Sequence, residues 1–208
     1  MRAYLALAAA FTVVPMVLTD CADPNRPTAP SAAASASSGP LASATLAPVG
    51  QSALLVNVMD ACDPVTFNAA IGPGTCVQRQ GGVTFSEFIA ELTRTEKAGA
   101  WHFAPPQTTA RSGQTLLAVN RGGEVHSFTA VANFGGGFVA PLNALSANPV
   151  LAPECARVLA TGGLVPGPGF VPLAPAGATP VALASAGTAK FQCCIHPWMR
   201  TTVSIEPD

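Results

Sequence analysis

Residues 191–199 of this 208-residue chain read Phe-Gln-Cys-Cys-Ile-His-Pro-Trp-Met. Cys193, His196 and Met199 thus stand at a C-x2-H-x2-M spacing, which puts a thiolate, an imidazole and a thioether within seven residues. Soft sulfur combined with imidazole is a copper-selecting donor set, and a type 1 copper centre takes two imidazoles and one thiolate in a plane with a weak, long axial Met. The loop supplies only one imidazole, so a second histidine has to come from a distant strand. The same residues do not suit structural zinc, which wants four N/S ligands, commonly in paired knuckles that this sequence lacks.

The chain has three histidines. His102 lies in a β-prone stretch that no motif marks, and is expected to be a surface or packed residue. His126 sits in Asn120-Arg121-Gly122-Gly123-Glu124-Val125-His126-Ser127-Phe128-Thr129. A strand, an Asn, a Gly-containing turn and then His-Ser-Phe-Thr resembles the way cupredoxins, the type 1 blue copper family, present their upstream copper histidine. Gly187 to Cys193 with the loop that follows resembles their last two strands and an amicyanin- or plastocyanin-like copper loop. The resemblance spans about residues 101 to 208. It implies an all-β, Greek-key sandwich with one copper ion, Cu(I)/Cu(II), held by His126, Cys193, His196 and an axial Met199. It also implies that His196 emerges through an apolar electron-transfer patch including Pro197 and Trp198, although Trp198 can instead pack inward. Ser127 departs from the family, many members of which carry Asn there. The separation of His126 from Cys193 is long, and Cys194 beside a ligand is uncommon.

The six cysteines fit this picture. With Cys193 assigned to copper and Cys21 to processing, Cys62, Cys76, Cys155 and Cys194 remain, an even number in an exported chain. Four cysteines allow three pairings. The favoured one joins Cys62 to Cys76 around a short local loop and Cys155 to Cys194 beside the metal loop. A vicinal Cys193–Cys194 bond would abolish the site.

A closed donor set leaves no open position for a substrate, and the additional histidine clusters of catalytic copper enzymes are missing. The expected role is therefore outer-sphere single-electron transfer with transient redox partner proteins, by a monomer that is not an enzyme. The alternative is a copper carrier or storage module without a redox role, and a third reading is a metal-free surface domain. Charged residues make up 10% of the chain and the net charge is −1, so nothing attracts a nucleic-acid backbone.

Several elements must position these donors. Leu54 to Met59 reads as a strand, and Asp63-Pro64 as an N-cap with proline at the first helical position. Thr84 and Glu87 form a capping box for a helix from Phe85 to about Lys97, with Val83 stapling onto Phe88 and Gly99 ending it. Phe85, Phe88, Ile89 and Leu92 share one face, which reads as a helix covering the core. These helices form an insertion at about 61–100. Strands follow at 101–103, 114–120, 125–132, 188–193 and 201–205. Pro, Gly and Ala dominate 141–180, which predicts a long irregular excursion with one strand near Val171 or Val181.

The chain opens with Arg2 and an apolar run from Leu5 to Leu18, the layout of a signal peptide over 1–21. Leu18-Thr19-Asp20-Cys21 resembles a lipobox with Asp20 out of pattern, making Cys21 a candidate lipidation site. Residues 22–50 are Ala, Ser, Pro and Thr with few large side chains, a composition that predicts a disordered tether. The folded domain is assigned to 51–208. The protein is accordingly expected to be exported, to the periplasm or cell surface, with a lipid anchor as one form of membrane tether.

Overall fold

A computed structural model describes residues 52–78 and 82–208. The readings on the signal peptide, on Cys21 and on nearly all of the tether lie outside the described residues.

Strand β1 (Leu54–Met59) alternates buried Val56 and Val58 with less buried neighbours, the period-2 pattern of a strand with one face on a core. It pairs parallel with β4 (Thr115–Asn120) and antiparallel with β2 (His102–Ala104), and β10 (Ala178–Ala182) completes one sheet in the order β10-β4-β1-β2. The second sheet has the order β3-β12-β11-β6, from β3 (Gln107–Arg111), β12 (Arg200–Glu206), β11 (Gly187–Gln192) and β6 (Thr129–Val131). Val56, Val58, Leu116 and Ala118 from the first sheet share one buried cluster with Phe191, Val203 and Ile205 from the second. Phe128 bridges the layers, with its ring centroid 5.2 Å from Phe103 and 4.6 Å from Phe191. The fold is a β-sandwich, as expected.

Between β4 and β6 the chain crosses from one sheet to the other, and β5 (His126–Ser127) lies on that crossing, paired with β9 (Pro172–Leu173). The predicted strand over 125–132 is therefore two short pieces divided at Phe128, whose ring serves as the core bridge.

The helical insertion forms as α1 (Pro64–Ala70) and α2 (Phe85–Thr95). Asp63 caps α1 by accepting from the Thr66 N–H, and the reciprocal Thr84/Glu87 capping box opens α2. The end of α2 differs from expectation. Glu96, with φ 60°, takes the left-handed position ahead of the predicted stop, and Gly99 N–H instead meets the Glu91 carboxylate. Phe88 and Leu92 are buried and Phe85 and Ile89 pack beside them, so this face covers the core.

The Pro/Gly-rich stretch is more ordered than its composition predicts. It contains α3 (Ala140–Leu145), the β7 (Ala156–Val158)/β8 (Leu164–Pro166) hairpin, β9 and the sheet strand β10. Short pieces of this kind lack hydrophobic periodicity, because tertiary partners decide them. No helix among the described residues is long and apolar enough to cross a membrane.

Candidate metal centre

Cys193 follows β11 directly and begins the loop that leads into β12. The Cys193 N–H donates to the Met199 carbonyl and the Met199 N–H to the His196 carbonyl, both at 3.0 Å. These two bonds curl the loop so that His196 returns over Cys193. Cys193 Sγ is 3.8 Å from His126 Nδ1 and 3.8 Å from His196 Nδ1. The three donor atoms all lie within 4.8 Å of one another, and all three residues are buried. Met199 is fully buried in the same core cluster. His102 is exposed on β2, its Nδ1 3.0 Å from the Gly99 carbonyl, apart from this group.

Each imidazole has a buried carboxylate behind it, hydrogen-bonded for His126 and more distant for His196. His126 Nε2 is 2.8 Å from Asp60 Oδ2, and His196 Nε2 is 3.7 Å from Glu124 Oε2. Both rings thus turn Nε2 towards a buried carboxylate and Nδ1 towards the sulfur. Asp60 follows β1, where a tight approach of the 120–124 turn surrounds its carboxylate. The Gly123 N–H donates to Oδ1 at 2.9 Å and the Glu124 N–H to Oδ2 at 3.1 Å. A Cβ at Gly122 would collide with that carboxylate, so glycine is required there by space. Burial by itself would raise the Asp60 carboxyl, but the His126 and backbone N–H bonds outweigh it and hold the group at about 2. An ionised carboxylate only accepts, so His126 carries a proton on Nε2, and Nδ1 faces the sulfur.

Burial disfavours a charged His126, yet its bonds to Asp60 and Cys193 dominate and raise it to about 9. Burial likewise pushes the Cys193 thiol up, and the two flanking imidazoles reverse this and bring it well below its ordinary value. The Ser127 N–H, 3.4 Å away, and the His196 N–H, 3.5 Å away, also point at Sγ. Burial raises Glu124, opposed by His196 and by the Trp101 indole N–H that it accepts.

Ser127 Oγ accepts the Cys194 N–H at 2.7 Å, so a hydroxyl ties the histidine strand to the cysteine loop. The structure joins Cys62 to Cys76 and Cys155 to Cys194, and leaves Cys193 free. A buried thiolate with two imidazole nitrogens turned towards it, and a buried Met in the same loop, fits the donor chemistry of a type 1 copper site.

Pro197 is buried and Trp198 is half-buried, with its indole N–H on the Ala98 carbonyl at 3.3 Å. His196 is only 3% exposed, its ring 5.4 Å from Trp198 and 6.4 Å from Phe88. Trp198 thus takes the inward alternative, packed against Phe88 of α2 and the Ala98 carbonyl. Sequence reading missed Asp60 and Glu124. Glu124, two residues before the strand histidine, was open to suspicion on spacing. Asp60 carried no signal, since only the sandwich brings it to His126.

No family model matches the sequence, and no curated protein matches it. Solved structures do. A purple cupredoxin from Nitrosopumilus maritimus is 12% identical, over 74% of this chain and 99% of that one, with a TM-score of 0.36. A reduced, Cu(I) form of an amicyanin variant is 16% identical, over 76% and 87%, with a TM-score of 0.35, and an oxidised amicyanin variant is 14% identical over the same shares, with a TM-score of 0.36.

Proposed function

We propose that this chain is an exported mononuclear type 1 copper protein that carries single electrons by outer-sphere transfer, with His126, Cys193 and His196 as strong ligands and Met199 as the weak axial one. The observation that supports this most is the convergence of one thiolate and two imidazole nitrogens within 4.8 Å in a buried pocket. Copper, when bound, supplies a one-electron couple between Cu(I) and Cu(II). The chain's own residues do the rest. Asp60 and Glu124 orient the two imidazoles, the Ser127 and His196 N–H groups stabilise the thiolate, and the rings of Phe88 and Trp198 pack beside His196. A buried donor set with a carboxylate behind each imidazole favours electron transfer over catalysis at the ion. The reading includes a transient redox partner protein, a monomeric state, and retention at a membrane surface through Cys21 if that residue is lipidated.

Metal analysis of the purified protein with a visible spectrum tests the reading. One copper per chain and an intense sulfur-to-copper charge-transfer band in the Cu(II) form are expected. Cys193→Ser should abolish the band while leaving the far-ultraviolet circular dichroism unchanged. A copper-saturated wild type without colour would overturn the proposal. Loss of copper to an apo-acceptor protein, without reversible voltammetry, would assign the chain to copper carriage instead.

A further inference from the structure

The helices that cover the loop do not close completely on it. A cavity of about 520 Å³ lies between α1, α2 and α3. Phe67, Phe85 and Phe88 line one side, and Leu142 and Leu145 the other. Glu124 and His196 are also part of its lining. Ile71 and Val125, 58% and 45% exposed, belong to the lining too and so mark its mouth. A volume of this size lies in the range of roughly 300–1,000 Å³ typical of small-molecule sites, which are mostly apolar with a few placed polar groups.

Glu124 gives Oε2 to the Trp101 indole N–H, while Oε1 makes no hydrogen bond to a described residue. Oε1 is not a buried unpaired atom, so a ligand's hydroxyl would take the place of water there. Phe67 and Phe85 pack edge to face at 5.3 Å and 88°, and Phe88 is tilted against both, so the wall is aromatic and offers ring contacts to an aromatic ligand. A charged ligand would have to be desolvated among these side chains.

We propose that this cavity is a binding site for a small, neutral, single-ring aromatic molecule bearing a hydroxyl, with the ring among Phe67, Phe85 and Phe88 and the hydroxyl donating to the Glu124 carboxylate. The site needs only the walls of the cavity and goes beyond the copper reading. It also places its ligand beside His196, the more peripheral of the two histidines.

Calorimetric titration of the full-length protein, copper-loaded and metal-free, with phenol, benzene and benzoate tests the assignment. Phenol should bind saturably in both forms, more tightly than benzene, and benzoate should not bind. Leu142→Trp, which fills the cavity, should remove phenol binding and keep the copper spectrum. Should that variant fail to fold, Glu124→Gln provides the second test, weakening phenol while leaving benzene unchanged. The assignment is overturned if phenol does not saturate, if it binds no better than benzene, or if the Leu142→Trp protein folds and still binds it. It is equally overturned if Leu142→Trp alters only transfer to a protein partner, since the cavity would then receive a partner's side chain. A protein that binds phenol but develops no copper colour would refute the copper reading and leave the cavity assignment intact.

Discussion

Asp60 Oδ2 lies 2.8 Å from His126 Nε2, and both side chains are fully buried although they are 66 residues apart. The contact fixes which nitrogen of His126 keeps its proton, and so which one can face a metal. It also links the first strand and the helical insertion to the residues that carry the chemistry.

This pair should contribute to the pH dependence of the metal-free protein, beside the part set by the lowered Cys193 thiol. The Asp60 carboxyl is brought from 3.8 to about 2, so its contribution is present above 3.8 and lost as pH falls through about 2. The His126 imidazole is raised from 6.5 to about 9, so its contribution is present below 6.5 and lost as pH rises through about 9. The pair's contribution, read by urea denaturation as the difference between the metal-free wild type and Asp60→Asn, should show a plateau between these limits and a decline on either side. That difference should be on the order of 2 kcal/mol at the plateau. An unchanged pH profile in the variant would show that the pair contributes nothing.

His126→Ala should eliminate the charge-transfer band, whereas His102→Ala should leave it intact. His126 is buried with Nδ1 3.8 Å from Cys193 Sγ, and His102 is exposed on β2. Spectra of the two copper-loaded variants decide the matter, and equal perturbation would refute the ligand assignment.

Met199→Leu should retain copper and colour but raise the reduction potential, because losing a weak axial donor disfavours Cu(II) more than Cu(I). Met199 is fully buried, and Leu is close to it in volume, so the fold should tolerate the change at a cost below about 1.5 kcal/mol. Voltammetry is the measurement, and an unchanged or lowered potential counts against axial ligation.

Removing the Cys155–Cys194 bond with a Cys155→Ala, Cys194→Ala double variant should destabilise the protein by up to about 4 kcal/mol, the chain-entropy value for a separation of 39 residues. The bond holds the excursion against the metal loop, where the Phe138 N–H also meets the Cys194 carbonyl at 3.1 Å. Peptide mapping under non-reducing conditions checks the pairing directly: recovery of the two cysteines in separate alkylated peptides would refute it.

Local chemistry is legible in the order of the residues. The C-x2-H-x2-M spacing, the Thr84/Glu87 capping box, the Asp63-Pro64 helix start and the apolar stripe of α2 all depend on residues close together in the chain. Such features are set by near neighbours, and so can be read from them. What packs against the loop is a different kind of fact. Trp198 can read as either a surface or an inward-packed residue in sequence, and packs inward because Phe88 of α2, far upstream in the chain, lies against it. Asp60 and Glu124 look like ordinary acidic residues. They become the partners of the two histidines only when β1 and the 120–124 turn are brought against β5 and the cysteine loop, since a carboxylate acquires its role from the donors and the low dielectric around it. The donor types are thus written in the sequence, while their orientation, their shielding from water and the cavity beside His196 are decided by tertiary packing.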